Sequence, residues 1–162
     1  SVYVRFCQSE GEQRVKIYDD KGQGFCEENS SFTENVYVAE KEAEFAVKFD
    51  GNVHYLRLDP AMCSCICKIR ELSMNGQPVP LQDKKVFTTN GKILKSEEGA
   101  DHPSVIFATE DPNMTIRADV LNRQAENTLS VKMEIVQIPQ AMAKDMMGVG
   151  KKGAAAWVFG QR

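Results

Sequence analysis

The sequence contains few of the residues from which catalytic centres and membrane anchors are built. Its 162 residues include two histidines and one tryptophan. It has no G-x-S-x-G motif to place a hydrolase nucleophile. The longest apolar runs cover only a few residues, such as residues 154–159 (AAAWVF), whereas a membrane helix requires roughly 20. We therefore expect no enzyme active site, no cofactor and no membrane span in this chain.

An excess of positive charge is also missing. Lys and Arg total 20 against 23 Asp and Glu, which gives a net charge of −3 at pH 7. Nucleic-acid-binding domains usually present a strongly basic face, so this balance argues against such a partner. With 42% hydrophobic and 27% charged residues, the composition is that of an ordinary globular domain. The length fits about one domain.

The cysteines do not form a disulfide framework. Cys7, Cys26, Cys63, Cys65 and Cys67 are odd in number and irregularly spaced, which indicates reduced thiols in a cytosolic protein. On a strand, the last three would share one face, with about 7 Å between successive side chains. That arrangement makes them a weak candidate for a soft-metal site, but zinc sites usually use C-x₂₋₄-C spacing. We prefer core packing, because buried cysteine behaves as a small hydrophobe.

Apolar residues recur with a period of two along most of the chain. Residues 43–49, 63–69 and 128–135 each place their apolar side chains at alternate positions. This pattern is typical of half-buried antiparallel strands, in which successive side chains point to opposite faces. Val136 and Ile138 continue on the opposite parity, which indicates either a β-bulge or a change of exposure.

Turn signals separate these runs at intervals of about ten residues. Three dipeptides predict tight hairpin turns because their residues tolerate positive φ: Asp50-Gly51, Asn75-Gly76 and Asn90-Gly91. Many short strands with no long helix predict an all-β fold, an antiparallel β-sandwich of jelly-roll type that is like a carbohydrate-binding module.

Only the C-terminal part departs from the strand pattern. Residues 140–147 (QAMAKDMM) follow Pro139 and could form about two helical turns. We therefore expect a β-sandwich domain over residues 1–139 and a short helix, tail or linker over residues 140–162. Asp101, His102 and Pro103 are interpreted as part of a solvent-exposed acidic loop.

Three segments, taken in order, resemble a known module. They are residues 15–30 (VKIYDDKGQGFCEENS), 56–60 (LRLDP) and 105–113 (VIFATEDPN). Together they resemble a β-sandwich that accompanies bacterial surface-polysaccharide glycosyltransferases, including those of rhamnan and O-antigen assembly. The resemblance covers roughly residues 13–138. This chain departs from the family at residues 63–67, where the cysteine trio replaces ordinary aliphatic residues.

The resemblance implies a non-catalytic accessory domain. The transferase machinery of such proteins lies in other domains of the same polypeptide, and the D-x-D motif of nucleotide-sugar transferases is absent here. The expected partners are a glycan or glycolipid precursor and that transferase domain. The expected location is the cytoplasm, at the inner face of the membrane through other domains.

The LRLDP segment supplies the candidate binding residues. On a strand, Leu56 and Leu58 would point inward, while Arg57 and Asp59 would share the other face and brace each other. We interpret Arg57 and Asp59 as a structural ion pair, with a polar clamp for sugar hydroxyls as the functional alternative. Of the aromatic residues, Tyr18 and Tyr55 are those we expect to be partly exposed. The candidate carbohydrate-binding residues are His54, Tyr55, Arg57, Asp59 and Asp111.

The alternative function is a scaffold. In that case the domain packs against the transferase domain or another partner and binds no sugar. Exposed aromatic and polar groups on one concave face would favour sugar binding. A large flat apolar patch would favour the scaffold.

Overall fold

The computed structural model describes residues 13–25, 33–38, 42–96, 99–121 and 124–148. These residues form eleven strands, a short 3₁₀ turn and one helix. The antiparallel β-sandwich with a short C-terminal helix is therefore confirmed. No helix in this part of the chain is long and apolar enough to cross a membrane. Cys7, Cys26 and residues 149–162 of the tail predicted over 140–162 lie outside the described residues.

The strands follow one another closely along the chain. In order, they are β1 (Gln13–Asp20), β2 (Thr33–Val38), β3 (Glu42–Asp50), β4 (Tyr55–Asp59), β5 (Cys65–Met74), β6 (Gln77–Pro78), β7 (Phe87–Thr89), β8 (Lys92–Ser96), β9 (Gly99–Phe107), β10 (Met114–Arg117) and β11 (Glu126–Gln137), and helix α1 (Gln140–Gly148) follows them.

The strands divide between two antiparallel sheets. The first sheet has the order β2-β1-β4-β10-β7, and the second has the order β3-β11-β5-β9-β8 with β6 paired to β5. Chain neighbours such as β3 and β4 therefore lie in different sheets. The connections carry the chain back and forth across the sandwich.

The core lies between the two sheets and is built by the alternating residues. The first sheet contributes Val15, Ile17, Leu56, Leu58, Met114 and Ile116, none more than 1% exposed. In the second sheet the predicted inward faces of residues 43–49 and 129–135 are confirmed. Val47, Leu129, Val131 and Met133 are each at most 1% exposed, and Phe45 packs against this core from a partly buried position.

The core-packing interpretation is confirmed for two of the three clustered cysteines. Cys65 and Cys67 are fully buried, and the Cys67 sulfur lies 3.3 Å from the sulfur of Met133. Burial raises the pKa of the Cys67 thiol to about 12. Cys63 is only partly buried. Among the described residues, no three His, Cys, Asp or Glu side chains are arranged to hold a metal ion.

The ladder between β5 and β11 contains a bulge, and it lies in β5. Lys132 pairs with Glu71 and Met133 pairs with Ile69, so Arg70 is the extra residue. The inward positions of β5 shift accordingly, from Ile69 before the bulge to Leu72 after it.

The parity change near residue 136 reflects a change of exposure. Val136 points away from the core and is 45% exposed, whereas Ile138 is 6% exposed. Ile138 is buried because it belongs to a second apolar cluster on the outer side of the second sheet, together with Ile106 and Ala143.

Helix α1 covers that outer face. Ala143 is fully buried against Ile106, and two hydrogen bonds hold the helix ends. At the start, Gln140 Nε2 donates to the carbonyl of Ala108 at 3.0 Å. At the end, Lys92 Nζ donates to the carbonyl of Met147 at 2.8 Å, where helix carbonyls lack intrahelical partners and favour a cation.

Only one of the three predicted hairpin turns is a hairpin. Asn75 and Gly76 have φ values of 52° and 80° and join β5 to β6. Gly51 and Gly91 instead lie where the chain crosses between the sheets, so the hairpin prediction is wrong there. Glycine is required at residue 91 for a different reason: an added Cβ would lie 2.6 Å from a methyl carbon of Val105 and 2.8 Å from the Phe107 ring.

The prediction of a loop around His102 is also wrong. Asp101, His102 and Pro103 lie inside β9. The ladder between β5 and β9 ends at the pair Lys68–Ser104, next to Pro103, which has no backbone N–H to continue it.

Candidate functional site

The outer face of the first sheet carries polar and aromatic side chains. Tyr18 of β1 and Thr115 of β10 lie opposite Arg57 of β4 in the strand register. Lys16 lies opposite Asp59 in the same ladder. Because these positions alternate with the core residues, they all point away from the core. The result is a row of functional groups across three strands.

Arg57 and Asp59 form a two-pronged ion pair on this face. Arg57 Nε donates to Asp59 Oδ1 at 2.8 Å, and Nη2 donates to Oδ2 at 3.0 Å. Leu56 and Leu58 are fully buried on the opposite side of the strand. The predicted orientation of the LRLDP strand and the predicted pairing are confirmed. Such planar pairs fix both geometry and charge.

Aromatic rings hold the Arg57 guanidinium in place. Its central carbon lies 4.7 Å from the ring centre of Tyr18 and 5.4 Å from that of Phe25, within the range of cation–π attraction. Phe25 meets Tyr55 edge-on, with 6.5 Å between the ring centres. Tyr55 is partly exposed as predicted, but Tyr18 is only 4% exposed, because Arg57 covers its ring.

A hollow of about 380 Å³ opens beside this pair, and we call it the Arg57 hollow. Ala61 and Met62 form its apolar part, and Met62 is 64% exposed. The full lining consists of Lys16, Tyr18, Arg57, Asp59, Ala61, Met62, Glu110 and Asp111. The hollow thus brings together three of the five candidate residues: Arg57, Asp59 and Asp111.

Burial and neighbouring charges tune the Asp59 carboxyl group. Burial raises its pKa above the ordinary 3.8, while the hydrogen bond and charge of Arg57 act in the opposite direction. The negative charge of Asp111 raises the pKa further, and the positive charge of Lys16 lowers it. Asp59 therefore holds a proton more readily than an exposed aspartate.

The Asp111 side of the hollow is fixed by hydrogen bonds between two loops. Asn90 Nδ2 donates to the carbonyl of Asp111 at 2.8 Å, and Asn90 Oδ1 accepts from the backbone N–H of Asn113 at 2.9 Å. The Asp111 N–H donates to Thr109 Oγ1 at 3.1 Å. The backbone that carries Glu110 and Asp111 is therefore held in position.

The other two candidate residues, His54 and Tyr55, do not line the hollow. His54 Nδ1 lies 3.5 Å from Asp119 Oδ2, and Arg117 Nε donates to Asp119 Oδ1 at 2.9 Å. Partial burial acts to raise the pKa of Asp119, but the hydrogen bonds and charges of Arg117 and His54 outweigh it and lower that pKa. Tyr55 pairs with Arg117 in the register and joins this second cluster to Phe25.

Lys16, Tyr18 and Glu110 line the hollow but were not among the binding residues predicted from the sequence. No local pattern marks them as site residues. Lys16 and Tyr18 reach the hollow through the pairing of β1 with β4, and Glu110 reaches it through the loop after β9. A signal was nevertheless available, because all three fall within the segments that carry the family resemblance.

A second groove lies on the other sheet, where β9 and the β5–β6 hairpin separate. It encloses about 660 Å³, and its walls include Leu72, Val79 and Leu81. His102 also lines it, and His102 Nδ1 is buried with no hydrogen-bond partner among the described residues. This groove is larger and more apolar than the Arg57 hollow.

Comparison of the chain with protein families, with curated proteins and with solved structures finds no match. A functional assignment therefore depends on the geometry of these two sites and on the sequence motifs that supply their residues.

Proposed function

We propose that this chain is a non-catalytic carbohydrate-binding accessory module and that the sugar occupies the Arg57 hollow. One observation carries the proposal: the three segments that resemble the glycosyltransferase-associated module converge on this hollow. Residues 15–30 supply Lys16 and Tyr18, residues 56–60 supply Arg57 and Asp59, and residues 105–113 supply the remaining two acids. Short motifs that lie far apart in sequence but line one hollow favour a shared binding role.

The chemistry of the hollow suits a sugar. Sugar hydroxyls need donors and acceptors that are held in position, and the Arg57–Asp59 pair is held by two hydrogen bonds and two rings. The C–H face of a sugar ring packs on apolar surface, which Ala61 and Met62 provide. The ordered charged pair and the adjacent apolar floor together support a hydroxyl-rich ligand.

We expect the binding to be weak. A volume of about 380 Å³ is near the lower end of ligand sites, which run from about 300 to 1,000 Å³. The hollow would hold one or two sugar units, and a dissociation constant of about 1 mM corresponds to about −4 kcal/mol. Weak binding is sufficient for a module that raises the local concentration of a glycan near a transferase domain.

The biological context that we propose is surface-polysaccharide synthesis in bacteria. The module would hold an acceptor glycan or a lipid-linked precursor for a glycosyltransferase domain in the same polypeptide. Support for this context comes from the sequence resemblance alone.

A glycan array at high protein concentration tests the proposal. It should include rhamnose-, mannose- and galactose-containing bacterial oligosaccharides. We expect a reproducible hit that is lost in Arg57→Gln. The matched control is Arg70→Gln, because Arg70 forms a comparable ion pair with Glu134 at 3.1 Å on the other sheet. A blank array with correctly folded protein, or equal loss in both variants, would contradict the proposal.

The scaffold function remains the second candidate, and the groove at β5, β6 and β9 favours it. Leu72, Val79 and Leu81 give that groove apolar walls that could receive a side chain of a packed domain. Substitution of Leu81, 9% exposed, by Asp should then weaken association with the transferase domain and leave the glycan array unchanged. Loss of glycan binding in Leu81→Asp with intact folding would contradict this division of roles.

A further inference from the structure

We infer that the Arg57 hollow selects neutral sugars and rejects anionic ones such as uronic acids, sugar phosphates and nucleotide sugars. This inference rests on the proposed carbohydrate-binding function and specifies its ligand. It follows from how the charges that line the hollow are paired.

Both cations that line the hollow, Arg57 and Lys16, lie next to Asp59 in the sheet. Arg57 gives Asp59 two hydrogen bonds, at 2.8 and 3.0 Å, and lies against the rings of Tyr18 and Phe25. Lys16 lies opposite Asp59 in the ladder, and its charge also lowers the pKa of that carboxyl. An anionic ligand would have to compete with a carboxylate that is covalently fixed beside these two cations.

The rim of the hollow has the opposite sign. Glu110 and Asp111 are exposed, and neither forms an ion pair with any residue in the described ranges. Asp111 lines the hollow together with Asp59, and its negative charge acts to raise the pKa of Asp59. The bonds from Asn90 hold the backbone of this rim in place, so both carboxylates stay attached at the edge of the hollow.

A neutral sugar is complementary to this arrangement. Its hydroxyls can donate to the carboxylates of Glu110 and Asp111, which only accept hydrogen bonds when ionised. A sugar carboxylate or phosphate would instead meet the two negative charges of the rim, while Arg57 is already paired with Asp59. The ligand of the hollow is therefore the neutral part of a glycan. The activated nucleotide-sugar donor, with its diphosphate, is excluded.

Titration of the isotope-labelled protein by NMR tests this inference with matched sugar pairs. The probes are methyl galactoside against methyl galacturonide, and mannose against mannose 6-phosphate. At an ionic strength of about 10 mM, where the screening length is about 30 Å, we expect the anionic member to bind about tenfold more weakly. At about 150 mM the screening length falls to about 8 Å, and the difference should shrink.

The double variant Glu110→Gln, Asp111→Asn should bring the two members of each pair to within about threefold, since it removes two repulsive charges. The control is Glu44→Gln, Asp145→Asn, which changes the net charge equally at two exposed positions on β3 and α1. At each ionic strength the control should show the same discrimination as the wild-type protein.

The outcomes separate this inference from the function on which it rests. Equal affinity for both members, or tighter binding of the anionic one, overturns the charge selection and leaves carbohydrate binding intact. Loss of discrimination in the control variant also overturns it, because net charge rather than the rim would then be responsible. Absence of binding by every sugar, neutral and anionic, overturns the proposed function and the inference together.

Discussion

The outer faces of the two sheets differ in what covers them. On the second sheet, helix α1 covers Ile66, Ile106 and Ile138. The outward positions beneath the helix are therefore apolar. On the first sheet, the outward positions next to the hollow carry Lys16, Arg57 and Asp59. In the part of the chain that the structure describes, the same alternating backbone thus produces a second small core on one side and a charged, open surface on the other.

The comparison shows how this small domain separates stability from function. A covered face gains free energy from burial of apolar surface, at about 25 cal/mol per Å². An open face gains little in this way, but its side chains are accessible to a ligand. Substitutions on the two faces should therefore have different consequences, and the following experiments test that difference in order of expected effect.

The largest effect should come from the covered face. Ile106 is 0% exposed and lies beneath α1, in the second apolar cluster rather than in the main core. Ile106→Ala should lower the free energy of unfolding by about 2–4 kcal/mol, because it leaves a cavity under the helix. Thr115→Ala on the open face should cost less than about 1 kcal/mol. Urea denaturation measures both, and equal costs would contradict the distinction between the faces.

A smaller loss of stability is expected when an ion pair is removed from either sheet. Arg57→Gln removes the partner of Asp59, which is 9% exposed, and should cost about 1–3 kcal/mol because a buried acceptor loses its donor. Arg70→Gln should cost at most about 1 kcal/mol, since Glu134 is 31% exposed and remains hydrated. Thermal or chemical unfolding of the two variants, side by side, decides this. A larger cost for Arg70→Gln would be the contrary result.

Asp59 beside the hollow and Asp119 of the neighbouring cluster should respond to pH in opposite directions. Burial raises the pKa of Asp59 above 3.8, so its contribution to stability is full below that pH and is lost as the pH rises through the raised value. The pKa of Asp119 lies below 3.8, so its contribution is full above 3.8 and is lost as the pH falls through the lowered value.

Unfolding midpoints of the wild-type protein, Asp59→Asn and Asp119→Asn between about pH 2 and 7 measure these contributions. The difference between wild type and Asp59→Asn should move against the wild type as the pH rises above about 4. The difference between wild type and Asp119→Asn should move in its favour as the pH rises from about 2 to 4. Slopes of the same sign would show that the two carboxyls have similar environments.

The smallest effect is expected for chemical labelling of the cysteines in the core between the two sheets. Cys65 and Cys67 are fully buried, and burial raises the pKa of both thiols, that of Cys67 to about 12. In a protein with Cys7 and Cys26 replaced by serine, a thiol reagent at pH 8 should modify these two residues only as fast as the protein unfolds. Cys63, which is partly buried, should react first. Rapid native-state labelling of Cys67 would contradict this packing.

Side-chain direction was predictable from the sequence because it depends on local alternation. Arg57 and Asp59 are two residues apart on a short strand, so their common face follows from the strand period, and Leu129 to Ile135 are equally regular. Pairing between strands depends on distant residues and was not predictable. Asn90-Gly91 has the letters of a hairpin, but its glycine serves a close approach to Val105 and Phe107.

The candidate site was predicted in part for the same reason. Arg57 and Asp59 could be read from one strand, and Asp111 from a turn signal. Lys16 enters only through the register of β1 against β4. His54 and Tyr55 are adjacent to the site in sequence, but they belong to the neighbouring cluster around Asp119, because the sheet places them one row further along.

The crossing of the chain between sheets has a consequence for folding. β3 ends at Asp50, yet its neighbour in the second sheet is β11, whose Glu126 pairs with that residue. Pairings between residues this distant must close long loops, and such topologies fold in milliseconds to seconds. Among the described strands, β3, which carries Val47 and Phe49, pairs in the second sheet only with β11, so this pairing must wait until β11 has been synthesised. Until then the unpaired edge and apolar residues of β3 make the nascent chain prone to aggregation.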